Sequence, residues 1–320
     1  MLAIFKHNSP FAFLLLFALA VYAEYHKPLE AHVIMNHQST LLYKTMLNFF
    51  ENPSLSKSFL GSFIRSLAIF GEALYLNKVA SDNKLLGKSN ALVALTFLLF
   101  NFLVPYKSTF LALIINGMLI FIFQLYIGIY KKNKPFNEII LSGFIIAVIT
   151  LFINSYLILY VWLTISLLIM RPSSLREWGM LNIGFFMPYY FIASILYLVD
   201  AFSLGSIVQL IQPSIKLPSL SFIVSFHILA FILLPIIGFI VGGNQVGKMV
   251  LQNRKAYIIM FALFLGALLL NLLNTSRVQE YIFFCIVPAT ILFAPFFQAF
   301  KKDFIPNLVL IFIILLSYFR

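Results

Sequence analysis

The sequence predicts an all-α, polytopic integral membrane protein with about eleven transmembrane helices. Of its 320 residues, 62% are hydrophobic and only 10% are charged, and the mean hydropathy is +1.00. Soluble domains are typically about 45–50% apolar and about 25% charged. A soluble fold has too little interior for this much apolar surface, so the composition predicts a bilayer as the main solvent.

Long apolar runs mark the predicted helices, which together form one transmembrane domain over residues 1–320. Lipid offers no partner for free backbone groups, and runs of this length do not alternate as barrel strands do, so each run is read as a helix. Asn154 and Ser155 alone separate the fifth run from the sixth, so residues 137–170 are read either as two helices or as one long bent helix. The runs cover approximately residues 9–23, 59–77, 89–104, 108–129, 137–152, 155–170, 178–199, 219–241, 256–273, 281–299 and 304–319.

The distribution of Lys and Arg predicts the orientation in the membrane. With the N-terminus inside and the C-terminus outside, the inner segments carry twice as many of these residues as the outer ones, as the positive-inside rule expects. The predicted protein therefore crosses its membrane several times, with the Lys- and Arg-rich loops inside. Small residues ending at Ala23 also resemble a signal-peptidase site, so cleavage there is an open alternative. The inner residues are Lys6, Lys78, Lys84, Lys88, Lys131, Lys132, Lys134, Arg171, Arg176, Lys248, Arg254, Lys255, Lys301 and Lys302.

The net charge of +12 does not indicate nucleic-acid binding. The basic residues are scattered singly or in small groups between apolar runs, and membrane orientation accounts for that pattern better. The single cysteine, Cys285, excludes an internal disulfide.

The hairpin "RPSSLREWGML" gathers charges between two apolar runs. Its first predicted role is topological, with Pro172 ending the helix before it. The stretch also resembles an uncharacterised family of polytopic bacterial inner-membrane proteins, of which some members are labelled beta-carotene monooxygenase. The resemblance covers about residues 1–200, and at position 173 this chain has Ser where an aromatic residue is expected. The matching positions are Arg171, Pro172, Arg176, Glu177, Trp178, Gly184 and Pro188, with Asn77 in a second hairpin.

This resemblance implies an architecture and a location in the inner membrane of a bacterial cell, with multiple passes, but no catalytic residue. The oxygenase label implies histidines gathered around iron, and the five His of this chain are poorly placed for that. His7 is predicted on the opposite membrane face from the other loop histidines, and His227 falls within a span. We therefore reject the label.

The outer segment 24–58 holds the first candidate site. Apolar residues at helical spacing (Leu42, Met46, Phe49 and Phe50) predict an interfacial amphipathic helix within it. The plan of a cytoplasmic N-terminus followed by a long first outer loop with interfacial helices is similar to that of C-class membrane glycosyltransferases. That resemblance implies a polyprenyl-linked sugar donor and an acidic residue soon after the first helix, for which Glu24 and Glu30 are the catalytic candidates.

Two other interpretations of this segment stay open. The first is a solvated loop whose acids and histidines face water. The second is a metal site built from His26, Glu30, His32 and His37, although their spacing does not align them on one helix. Neither a metal nor another cofactor is assigned from the sequence.

Arg65 and Glu72 form a second candidate site within the second span. Their spacing of seven residues places them on one helix face, about 10 Å apart along the axis. Charges at membrane depth normally pair or face water, and they mark functional sites by default. One interpretation is a lipid-phosphate site involving both residues, in a cavity open to the outer side. The other is a structural role, as an interhelical pair, as a pair of the two residues with each other, or with Arg65 snorkelling to the interface.

Three functional classes follow from these features. The first is a C-class-glycosyltransferase-like enzyme that acts on a polyprenyl-linked sugar at the outer face. The second is a non-catalytic subunit of a membrane assembly, and the third is a transporter of an amphiphilic or lipid-linked substrate. The predicted partners are membrane lipids, a polyprenyl-phosphate-linked substrate and other membrane proteins, and nucleic acid is not among them.

Overall fold

A computed structural model describes residues 2–6, 10–27, 59–87, 90–104, 108–130, 132–198, 226–273, 278–300 and 304–318. These residues are almost entirely helical, and no strand occurs among them. The predicted all-α class is therefore confirmed.

Each of the eleven apolar runs contains a helix. A short 3₁₀ helix, Asn154–Leu157, separates the fifth run from the sixth, so the chain forms two helices there and not one. The helices are α1 (Leu2–Lys6), α2 (Pro10–His26), α3 (Phe59–Asp82), α4 (Leu92–Leu103), α5 (Phe110–Ile129), α6 (Phe136–Phe152), α7 (Ile158–Met170), α8 (Leu175–Leu198), α9 (Phe226–Gly247), α10 (Leu251–Leu273), α11 (Val278–Phe293), α12 (Phe296–Ala299) and α13 (Phe304–Tyr318).

Within the described part of the chain, four helices are long and apolar enough to cross a membrane. They are α3, α5, α8 and α10, and this assignment rests on length and composition. The remaining apolar helices are shorter, with 10 to 17 residues in their apolar stretches. These helices fit a polytopic membrane protein, while the count of eleven spans and the orientation of the termini stay predictions.

Helix α4 departs most from the span expected at residues 89–104. It has 12 residues, and every one of them is buried. At 1.5 Å per residue it is about 18 Å long, well short of a hydrocarbon core of about 30 Å. Helices α2, α3, α9, α11 and α13 all pack against it. The sequence correctly predicted an apolar helix here. An apolar run can reflect burial among other helices as well as contact with lipid.

Two helix pairs approach closely at glycine. A Cβ on Gly184 of α8 would lie 2.3 Å from the carbonyl oxygen of Ile140 in α6, and one on Gly143 would lie 2.7 Å from that of Leu181. At the crossing of α9 and α11, a Cβ on Gly238 would lie 2.6 Å from the Cα of Phe293. Small residues let helix backbones touch, which is the usual basis of helix packing where lipid removes the hydrophobic driving force.

The first turns of α10 fasten several helix ends together. Gln252 donates to the carbonyl of Ile127 (2.8 Å), and Lys255 donates to that of Met170 (2.7 Å), so the ends of α5 and α7 lie beside the start of α10. Asn253 donates to the carbonyl of Lys84, after α3 (3.1 Å). These bonds occupy carbonyls that a helix end leaves without intrahelical partners.

Candidate functional site

The side chain of Glu24 is fully buried at the end of α2. The sequence placed it in an exposed loop over residues 24–58, and this is corrected: α2 continues to His26, so Glu24 occupies its last turn. The Nε of Arg65 donates to Glu24 Oε1 at 3.0 Å, and the Oγ of Ser108 donates to the same oxygen at 3.3 Å. The second oxygen, Oε2, is buried, and no residue that the structure describes donates a hydrogen bond to it.

Arg65 is held on one face of α3 by groups from two helices. Its Nη2 donates to the Oγ of Ser62, one turn earlier in α3, at 3.3 Å. Its guanidinium carbon lies 5.5 Å from the ring centroid of Phe110, the first residue of α5. Thr109 caps α5 by accepting from the backbone N–H of Ala112 at 3.1 Å, which orients the start of that helix.

Lys27 is a second buried cation at this end of the molecule. Its Nζ donates to both the backbone carbonyl and the Oδ1 of Asn101, each at 2.7 Å, at the end of α4. It also lies 5.8 Å from the ring centroid of Phe283 in α11. We call Glu24, Lys27, Ser62, Arg65, Asn101 and Ser108 the Glu24 cluster.

The sequence reasoning missed four members of the Glu24 cluster, namely Lys27, Ser62, Asn101 and Ser108. Lys27 falls in the predicted outer segment 24–58, although its position three residues after Glu24 places the two on the same face if α2 continues. Asn101 interrupts an otherwise apolar run, and this was a usable signal, because polar groups within membrane segments usually have partners.

The structure divides the two predicted sites differently from the sequence. Glu24 belongs to the first predicted site and Arg65 to the second, and the structure pairs them. Among the described residues, no ion pair joins Arg65 to Glu72. The interpretation of Arg65 and Glu72 as a structural pair is therefore wrong, because the buried guanidinium faces the end of α2 and not the next turns of α3. Within the described part of the chain, the buried Oε2 of Glu72 has no hydrogen-bond partner.

The other candidates lie outside what the structure describes. Glu30, His32 and His37 belong to residues 28–58, as does the predicted interfacial helix. His26 ends α2, but its side chain is outside the described part. Among the described residues, no group of three or more His, Cys, Asp or Glu is placed to hold a metal ion.

The hairpin at residues 171–178 has a local structural explanation. Ser174 and Glu177 form a capping box at the start of α8: Glu177 Oε2 accepts from the backbone N–H of Ser174 at 3.1 Å, and Ser174 Oγ accepts from that of Glu177 at 3.4 Å. Arg171 pairs with Glu177 Oε1 at 3.1 Å. Ser173, where an aromatic residue was expected, accepts from the indole N–H of Trp178 at 2.8 Å.

Comparison of the chain with family models, with curated proteins and with solved structures finds no match.

Proposed function

We propose that this chain is a bacterial inner-membrane enzyme, similar to C-class glycosyltransferases, that acts on a polyprenyl-linked sugar at the outer face. The observation that carries the proposal is the buried carboxylate of Glu24, of which one oxygen is fixed and the other has no hydrogen-bond partner among the described residues. A carboxylate oriented in this way can accept a proton from a hydroxyl group placed against its second oxygen.

In the proposed reaction, Glu24 acts as the general base. Its Oε2 takes the proton of the acceptor hydroxyl while that oxygen forms a bond to the anomeric carbon of the donor sugar. The bond from that carbon to the polyprenyl phosphate breaks, and the phosphate leaves with the electron pair. Arg65 and Ser108 hold Oε1 throughout, so the side chain does not have to reorient during the transfer.

The charge of the Glu24 cluster supports a lipid-linked phosphate as the leaving group. Arg65 contacts Glu24 directly, and Lys27, the second buried cation, follows Glu24 by three residues in the chain. Positive groups in a dry site stabilise negative charge that develops on a leaving phosphate. Glu30, the second catalytic candidate, follows six residues after Glu24 and stays part of the proposal.

The test separates a catalytic role of Glu24 from a structural one. Glu24→Gln alone leaves Arg65 buried opposite a neutral group, so loss of function in that variant has two explanations. The double variant Glu24→Gln with Arg65→Gln removes both charges. Each variant is produced in cells that lack the native gene, its melting temperature is measured in mild detergent, and polyprenyl-linked sugars are quantified in lipid extracts by mass spectrometry.

We expect the double variant to recover much of the stability and still to accumulate the polyprenyl-linked sugar, as the gene deletion does. The matched control is the double variant Arg171→Gln with Glu177→Gln, which removes a second Arg–Glu pair and which we expect to leave the lipid profile of the wild type. If the double variant at Glu24 and Arg65 restores both stability and lipid profile, Glu24 is structural. The non-catalytic subunit then becomes the better-supported function.

A further inference from the structure

The start of α10 lies among the ends of other helices and brings cations from distant segments together. Asn253 donates to the carbonyl of Lys84, which follows α3, at 3.1 Å. Lys255 donates to the carbonyl of Met170, at the end of α7, at 2.7 Å, and its Nζ lies 5.1 Å from the ring centroid of Tyr130. Positions two apart on a helix point in nearly opposite directions, so Lys84 and Met170 lie on different sides of this turn.

Arg254 extends from the same turn, between Asn253 and Lys255, and its side chain is exposed. Its Nε donates to the carbonyl of Met249 at 3.0 Å. Neither of its Nη groups donates to a residue that the structure describes. One hydrogen bond therefore holds the guanidinium close to the backbone, and both Nη groups are available to a ligand.

The positive charge at this turn is not balanced by described acids. In the neighbouring hairpin, Arg171 pairs with Glu177. By contrast, no acid in the described part of the chain forms an ion pair with Lys84, Arg254 or Lys255. The first turn of α10 contains no acidic residue, and the dipole of the helix adds to its positive charge. Cations in this position are disfavoured unless an anion lies close to them.

An apolar stripe runs along the exposed side of α10 on the face that carries Arg254. Leu251, Ile258, Leu265 and Leu269 are exposed, and their spacing places them with Arg254 on one face of the helix. Helix α10 is long and apolar enough to cross a membrane, so this stripe contacts acyl chains when the helix spans the bilayer. A cation at the end of such a stripe lies at the depth of the lipid headgroups.

We propose that the start of α10 binds an anionic phospholipid, with its phosphate on Arg254 and with Lys84 and Lys255 beside the headgroup. The acyl chains lie along the apolar stripe. A soluble anion would match the cations alone, whereas a lipid matches both the cations and the stripe that continues from them. The site lies at the opposite end of α3 from the Glu24 cluster, because Arg65 is in the second turn of α3 and Lys84 follows its last residue.

The test measures binding of dioleoylphosphatidylglycerol to the purified full-length protein in mild detergent. Dioleoylphosphatidylcholine, which has the same acyl chains and a zwitterionic headgroup, is the reference lipid. Native mass spectrometry follows the lipid that stays bound through a titration of each. We expect the wild type to bind phosphatidylglycerol more tightly than phosphatidylcholine, and its affinity for phosphatidylglycerol to fall about fivefold for each cation removed from the site.

The test variant is Lys84→Asn with Arg254→Gln, which changes two exposed side chains. Asparagine tolerates the left-handed φ of 52° at position 84. Lys255 is kept because its side chain also joins α7 to α10. The matched control, Lys134→Gln with Arg176→Gln, removes two exposed cations on the same predicted side, before α6 and at the start of α8. We expect the test variant to lose about 25-fold in affinity for phosphatidylglycerol, and the control to bind it as the wild type does.

Melting temperatures without added lipid establish that both double variants fold. Arg254→Gln alone, with an expected loss of about fivefold, replaces the test variant if the change at position 84 destabilises the protein.

Equal losses in the test and control variants would show a general attraction between net charge and anionic lipid, and would overturn the site. Equal binding of the two lipids by the wild type would do the same. Displacement of the bound lipid by glycerol 3-phosphate, which has the charged phosphate without the acyl chains, would show a site for a soluble anion instead. None of these results bears on Glu24, so this proposal and the proposed sugar transfer fail separately.

Discussion

Two Arg–Glu pairs lie in very different surroundings in this protein. In the Glu24 cluster, Arg65 and Glu24 are 3.0 Å apart, and their side chains are 3% and 0% exposed. In the hairpin, Arg171 and Glu177 are 3.1 Å apart, and their side chains are 22% and 4% exposed, so the arginine is partly open to solvent. The distances are nearly equal, so the burial decides what each pair contributes. A fully buried pair is costly to break because one charge is left without a partner, whereas solvent partly screens a pair whose arginine it reaches.

The origin of the two pairs also differs. Arg171 and Glu177 are six residues apart, and the turn between them brings them together locally. Glu24 and Arg65 are separated by 41 residues and meet because α2 packs against α3. A local pair can form whenever its turn forms, whereas Glu24 and Arg65 can pair only when α2 has packed against α3.

The largest expected effect is in a labelling test of the membrane topology. The topology predicts the Glu24–Arg65 pair at the outer side and the Arg171–Glu177 pair at the inner side. Single Cys variants are made at Lys84, Lys132 and Arg254, which are exposed residues on the side predicted to be inside, in a protein with Cys285→Ala. We expect almost no labelling of any of the three by an impermeant maleimide in intact cells, and full labelling after lysis. Lys44→Cys, on the predicted outer side, should label before lysis. Labelling of all three inner positions in intact cells would reverse the topology.

The next largest effect is on the free energy of unfolding at the Glu24 cluster. Glu24→Gln and Arg65→Gln should each destabilise the protein by about 3–5 kcal/mol, because each leaves a buried charge unpaired. The double variant should recover about 1–3 kcal/mol of the summed loss. Thermal melting in mild detergent measures both. Additive losses would mean that the two side chains act independently, contrary to their contact.

The third prediction concerns the close contact between α6 and α8, the helix that follows the hairpin. Gly184→Ala should cost about 1–3 kcal/mol, since its Cβ would lie 2.3 Å from the carbonyl oxygen of Ile140 and push α8 away from α6. The matched control is Gly179→Ala on the same helix, whose Cβ meets no described atom within 4 Å. There the same change should be neutral or stabilise by about 0.5–1 kcal/mol, because alanine favours the helix. Equal melting temperatures for the two variants would contradict close packing at Gly184.

The smallest effects are expected within the hairpin itself. Ser174→Ala removes the side-chain cap of α8 and should cost about 0.5–2 kcal/mol. Arg176→Gln alters an exposed side chain and should stay within about 0.5 kcal/mol of the wild type. Both are read from the same melting curves. A loss at Arg176 as large as that at Ser174 would indicate a contact beyond the local cap.

Some features of the site were accessible from sequence and others were not. The capping box is readable because Ser174 and Glu177 occupy fixed positions relative to the start of a helix. Glu24 and Arg65 were each singled out as charges near apolar runs, yet their pairing was missed. Spacing along one helix suggested Glu72 as the partner of Arg65, because periodicity describes a single helix and carries no information about which helix packs beside it.

The sequence by itself determined the helical class of the protein and the approximate positions of the apolar helices from α2 to α13. Apolar runs and a low content of charged residues depend only on composition along the chain, and lipid requires a helix wherever such a run is embedded. The tertiary structure alone decided that α4 is wholly buried, that α6 and α8 touch through Gly143 and Gly184, and that Glu24 meets Arg65 and not Glu72. Each of these depends on which helix faces come together, and that choice is made by packing between segments distant in sequence.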